Sequence, residues 1–131
     1  MTPRFTPLAA LAAVAMPVPV LAESYVCTLA AMCNTESATC STEAGTENPP
    51  FRLIIAEDGK SAHLTTTAEG VDLTLLDQTA LGRSFLLRTG ETGIGILTLA
   101  ADGALAAVSN EHTSGGLIGT ATQGTCAAEA G

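Results

Sequence analysis

Beyond residue 22, several short runs alternate apolar and polar positions with a period of two, and no stretch shows the period of a helix. Residues 24–30 put Tyr25, Cys27 and Leu29 on one face and Val26 and Thr28 on the other. Residues 71–77 repeat this, with Val71, Leu73 and Leu75 inward and Asp72 and Thr74 outward; residues 83–89 follow with Phe85 and Leu87 inward. After a polar loop at 112–116, a last strand is expected from Leu117 toward Cys126.

Turn chemistry divides the rest. Asp58-Gly59 and Asp102-Gly103 each stand between apolar runs, and Asp-Gly is the signal for a two-residue type I′ hairpin turn. About Asp58-Gly59, that turn sets Glu57 opposite Lys60, Ile55 opposite Ala62, Leu53 opposite Leu64 and Phe51 opposite Thr66. The same register turns Arg52, Ile54, His63 and Thr65 outward. About Asp102-Gly103, a second hairpin over 94–111 pairs Leu99 with Ala106 and Leu97 with Val108. Residues 31–50 are rich in Ser, Thr, Glu, Asn and Gly and end in Pro49-Pro50, which predicts a long loop ordered by its cysteines. About eight short strands at roughly ten-residue spacing predict an all-β antiparallel meander, barrel-like as the first choice and a two-sheet sandwich as the second.

The opening of the chain has a different pattern. One positive charge at Arg4 precedes an apolar run over 8–21 that Pro17 and Pro19 interrupt. Its nine unbroken residues, 8–16, fall short of the roughly twenty that a spanning helix needs. Val20-Leu21-Ala22 suits a signal peptidase, so residues 1–22 are expected to be a cleaved signal peptide and 23–131 a single β domain, periplasmic or secreted. Four residues separate the cleavage site from Cys27, the layout of a soluble product rather than a lipid-anchored one, with no membrane contact after cleavage.

Composition sharpens this picture. Beyond the leader the aromatics are Tyr25, Phe51 and Phe85, so the core is lean and cross-links are useful to it. Cys27, Cys33, Cys40 and Cys126 make an even number in an exported chain, which predicts two disulfides in one of three pairings. Joining Cys33 to Cys40 closes a short loop. Joining Cys27 to Cys126 ties the two ends of the domain, a cross-link of order 4 kcal/mol in loop-closure entropy, and an up-and-down barrel makes those strands neighbours. The spacings are not those of a zinc knuckle, and neither His63 nor His112 completes one.

Removing Arg4 with the leader leaves four basic residues against thirteen acidic ones, a formal charge of −9. Nucleic acid and anionic membrane are unsuited to that surface, whereas a basic protein suits it. Chemistry is sparse. No serine stands in a nucleophile elbow, since Gly82-Arg83-Ser84-Phe85-Leu86 lacks the second glycine, and the Gly-rich 90–95 stretch lacks the lysine of a phosphate loop. Glu69, Asp72 and Asp77 read as solvated charges, and Glu36, Glu43 and Glu47 lack the spaced ladder of a calcium loop. The expectation is no enzyme, no cofactor and no metal. The acids Glu36, Glu43 and Glu47, with His112 and Ser114, instead mark loops that a rigid scaffold would present to a partner, a basic periplasmic protein. A small apolar-ligand carrier is the alternative.

The Cys27-x5-Cys33-x6-Cys40 triplet behind a leader, the strand-Asp-Gly-strand units and the closing Gly124-Thr125-Cys126 resemble small exported bacterial proteins of unknown function. The plan is also similar to that of small periplasmic lysozyme inhibitors, whose Ser-Gly-x-x-Tyr loop enters the enzyme. Here the corresponding stretch is Ser114-Gly115-Gly116-Leu117-Ile118, with no tyrosine. The resemblance implies a stapled β scaffold and carries no activity with it.

Overall fold

Each strand of a sheet must satisfy backbone groups on both sides, and in this chain closure meets that demand. The computed structural model describes residues 22–66 and 69–129, so the expected leader falls, but for Ala22, outside the described residues. In chain order the elements are β1 (Glu23–Asn34), β2 (Thr39–Ser41), α1 (Ala44–Glu47), β3 (Phe51–Ile55), β4 (Ser61–Thr65), β5 (Gly70–Thr79), β6 (Gly82–Thr89), β7 (Gly93–Ala100), β8 (Ala104–Thr113) and β9 (Gly116–Ala128). Strands β3 to β9 pair in sequence, β1 pairs with β3, and β1 pairs again with β9. The result is a closed antiparallel barrel of eight strands, with short β2 appended to β1. The fold is all-β, and of the two architectures expected it is the barrel.

The first hairpin has the expected register, with Ile55 opposite Ala62 and Leu53 opposite Leu64. Its turn is longer than the two-residue form: the N–H of Ala56 donates to the Ser61 carbonyl, that of Gly59 donates to the Ala56 carbonyl, and only Gly59 has positive φ. Four turn residues preserve the register that two would give. The second hairpin departs from expectation. Leu99 pairs with Leu105 and Leu97 with Ala107, not with Ala106 and Val108. Gly103, at φ +94°, donates to the Ala100 carbonyl and closes a three-residue turn, and an odd count slips the register by one. Leu105 is therefore buried, and Val108 faces outward.

The stretch 31–50 is also more ordered than a loop. A bulge after Leu29 re-phases β1, which then continues to Asn34 against both β9 and β2. Closure supplies a partner for residues whose own sequence shows no alternation, and α1 follows with Ala44 fully buried. The 112–116 segment is likewise a tight hairpin, with His112 opposite Leu117 and Thr113 opposite Gly116 around Ser114-Gly115.

Inward positions fill the barrel. Cys27, Leu53, Ile55, Leu73, Phe85, Leu97, Leu99 and Leu105 form the core, and Tyr25, Leu29, Val71, Leu75 and Leu87 pack around it, as eight strands enclose just enough space for side chains. Two disulfides staple this arrangement. Cys27–Cys126 crosses the β1–β9 seam and Cys33–Cys40 ties β2 to β1.

Candidate functional site

Antiparallel order sorts the turns between two ends. One end holds the start of β1, the end of β9 and the turns 56–60, 80–81 and 101–103. The other holds the 35–38 turn, the β4–β5 connection, the 90–92 turn and the Ser114-Gly115 tip.

Three of the five residues expected in an interaction surface meet at the second end. Glu36 lies in the 35–38 turn, and this turn is docked on β9: the Thr35 N–H donates to the Gly119 carbonyl at 2.9 Å, and the Gly119 N–H donates to Thr35 Oγ1 at 2.7 Å. His112 and Ser114, both exposed, stand at the adjoining β8–β9 tip. Glu43 and Glu47 are exposed but separate, just before and at the end of α1, where it packs along β1 beyond the start of β3. The topology adds three acids that spacing did not single out for this surface. Glu69 ends the β4–β5 connection, Glu91 sits in the 90–92 turn, and Glu111 precedes His112 opposite Gly93; all three are exposed. Arginine salt bridges engage Glu23 and Glu129, and Asp72 contacts His63; none of the four carboxylates at this end forms an ion pair among the described residues.

The first end holds a cluster that sequence reasoning missed. Arg83 is in phase with Phe85, so it points inward at the barrel mouth, where a guanidinium needs a partner. Its Nη2 donates to Glu23 Oε2 at 2.6 Å and its Nη1 to Oε1 at 3.3 Å, and the Tyr25 hydroxyl donates to the same carboxylate at 2.6 Å. Arg83 first, then the tyrosine, hold the Glu23 carboxyl below its ordinary value. Burial first, then the glutamate, push the Tyr25 hydroxyl up. These residues border a cavity of about 560 Å³, shared with Gln78, Asp102 and Leu99. The inward phase of a charged residue at a strand end was the signal that could have found it.

A third arrangement joins β4 to β5: His63 Nδ1 stands 2.7 Å from Asp72 Oδ1, and the imidazole lies across Gly70, where a Cβ would come within 2.7 Å of Nε2. The nitrogen that would serve a nucleophile therefore packs against backbone. Among the described residues no group of three or more His, Cys, Asp or Glu is placed to hold a metal ion, and no helix is long and apolar enough to cross a membrane.

No family model, curated protein or solved structure matches the chain. What the residues can do chemically is present carboxylates at one rim and a polar, charge-paired cavity at the other.

Proposed function

We propose that this protein is a binding module of the periplasm or cell exterior that docks a basic protein partner on its acidic rim. The observation that carries this is the convergence of Glu36, Glu69, Glu91 and Glu111 at one barrel end, where Arg88 of β6 is the opposing cation among the described residues. The turns and strand ends of a stapled barrel hold the backbone of these residues in place, so a complementary cationic surface meets them with only their side chains left to order. Such a field steers association and weakens with salt. Two disulfides are consistent with an oxidising, exported compartment, which is where the partner is sought. If that partner is an enzyme, covering its cleft with this rim makes the module an inhibitor.

The test is capture from periplasmic extract at about 0.05 M and about 0.5 M salt, with the wild type and with Glu36→Gln/Glu91→Gln/Glu111→Gln. A basic partner held only at low salt and lost by the triple variant supports the reading. A partner retained equally by the triple variant, or none at low salt, overturns it. A second reading rests on the mouth cavity, since about 560 Å³ falls within the roughly 300–1,000 Å³ of small-molecule sites. There the protein carries a small ligand, and native mass spectrometry showing only the bare polypeptide mass argues against it.

A further inference from the structure

We propose that the outer face of β7, β8 and β9 docks a second copy of this chain, two barrels meeting face to face about a two-fold axis. The register lays an uninterrupted apolar row across the strands at this face. Leu86 stands opposite Ile96, Ile96 opposite Val108, Val108 opposite Ala121, and Ala121 opposite Cys33, which is bonded to Cys40. Ile94, Ile96, Leu76 and Val108 in and beside this row are 46% to 56% exposed. Contiguous exposure of this kind marks an interface rather than the scattered apolar residues of any surface.

Charge indicates the occupant. Outward positions of β7 and β9, and of β8 short of His112 at its tip, hold only Ile, Leu, Val, Ala, Gly, Thr, Asn and Gln, in a chain with 18 formally charged side chains. Outward positions on β3 to β6 are different and include Arg52, His63, Asp72 and Arg88. Two copies of so acidic a chain repel wherever carboxylates face each other, and this face is where they do not. It needs no counter-charge, whereas a basic partner finds its complement at the rim. Closure leaves β7, β8 and β9 paired on both sides, so copies cannot add by strand pairing and must meet through side chains. An isologous contact centred on Val108 sets each row against its own equivalent. The three strands β7 to β9, spaced about 4.8 Å apart, and the eight residues of β7 at about 3.3 Å each, span a footprint on the order of 400 Å², which makes the contact a weak one. A standard interface takes roughly 800 Å² from each partner.

Sedimentation equilibrium of the chain produced with its own leader, from about 1 µM to about 0.5 mM, tests this. The expected result is a mass of two chains at the upper end, with a dissociation constant that falls as salt rises, because screening removes the remaining repulsion. Salt thus acts in the opposite sense from rim binding, and the Glu36→Gln/Glu91→Gln/Glu111→Gln variant dimerises at least as tightly as the wild type, because it carries less of that repulsion. Val108→Lys buries an ammonium against its own equivalent and weakens the dimer by about a hundredfold or more; Ile96→Ser weakens it by about tenfold and serves if the lysine variant does not fold. Thr65→Lys, on the opposite flank, leaves association unchanged. A monomer at every concentration, or a dimer indifferent to both Val108→Lys and Ile96→Ser, overturns the proposal. So does a monomer that floats with phosphatidylcholine vesicles, which assigns the face to lipid.

Discussion

Cys27 and Cys126 stand directly opposite each other on the first and last strands of the barrel, their Cα atoms 4.0 Å apart across 99 residues of sequence. The bridge thus fixes a contact that an open chain reaches only at the cost of its longest loop closure. Cys33 and Cys40 have the same local geometry across 7 residues. Loop-closure entropy then ranks them: about 4–5 kcal/mol for the long bridge and about 2.5 kcal/mol for the short one. Urea unfolding of Cys27→Ala/Cys126→Ala and of Cys33→Ala/Cys40→Ala measures both losses. A larger loss for the short bridge contradicts the ranking.

Phe85 carries much of the interior packing. It is fully buried at the barrel centre, among leucines and isoleucines that each bury less area. Phe85→Ala is expected to cost about 3–5 kcal/mol, and Phe85→Leu about 1–2 kcal/mol, because the leucine leaves a smaller void. Denaturant midpoints at constant m-value check this, and equal losses would mean that the site collapses around either side chain.

What the sequence reveals depends on how local the deciding interaction is. The first hairpin was legible because Leu53, Ile55, Ala62 and Leu64 alternate cleanly and an even turn keeps their register. The second was not, because Ala104 to Val108 is apolar on both faces, so alternation cannot choose between registers. The choice was made by Gly103, whose turn adds one residue and whose carbonyl accepts from the Cys126 N–H at 2.7 Å. Asn34 could not be read as a strand residue because its partner, Thr120, lies 86 positions away and comes into reach only on closure. The candidate site divides in the same way. Glu36, His112 and Ser114 were legible as turn residues, but their meeting with Glu91 and Glu111 is a product of topology. Arg83 was missed since its phase was read for Phe85 and not for itself.

Gly103 and Gly59 separate conformational strain from crowding. Both have positive φ, at +94° and +72°. A Cβ on Gly59 meets nothing within 4 Å, whereas one on Gly103 sits 2.7 Å from the Cys126 carbonyl oxygen. Gly59→Ala should therefore cost about 1 kcal/mol, the left-handed penalty alone. Gly103→Ala should cost at least about 2 kcal/mol, because the β8–β9 contact must also give way. Hydrogen exchange at the Cys126 amide provides the second readout. It should quicken in the Gly103 variant and stay as it is in the Gly59 variant.

The Glu23–Arg83 pair at the barrel mouth makes stability depend on pH in a predictable sense. Arg83 holds the Glu23 carboxyl below its ordinary 4.5, so the folded chain binds fewer protons than the unfolded one under mild acid. The pair's contribution is therefore complete above the ordinary value and is lost as pH falls through the lower folded value. Glu23 is half exposed at its side chain, which limits the contribution at neutral pH to about 1 kcal/mol. Glu23→Gln should lower the neutral-pH unfolding free energy by that amount, and the difference from wild type should shrink below pH 4.5. Arg52 lowers Glu129 in the same direction on the outer surface, so an acid slope persists in the single variant and flattens further in Glu23→Gln/Glu129→Gln. At the other limb, burial raises Tyr25 above its ordinary 10.0, so its contribution is present below that value and is lost as pH rises through the higher folded one. Tyr25→Phe should remove that alkaline slope and, because the lost hydroxyl also helps hold Glu23 down, soften the acid slope as well. Urea titrations from acid to alkaline pH distinguish these outcomes, and a Glu23→Gln difference that grew on acidification would show that the carboxyl is not held down by Arg83.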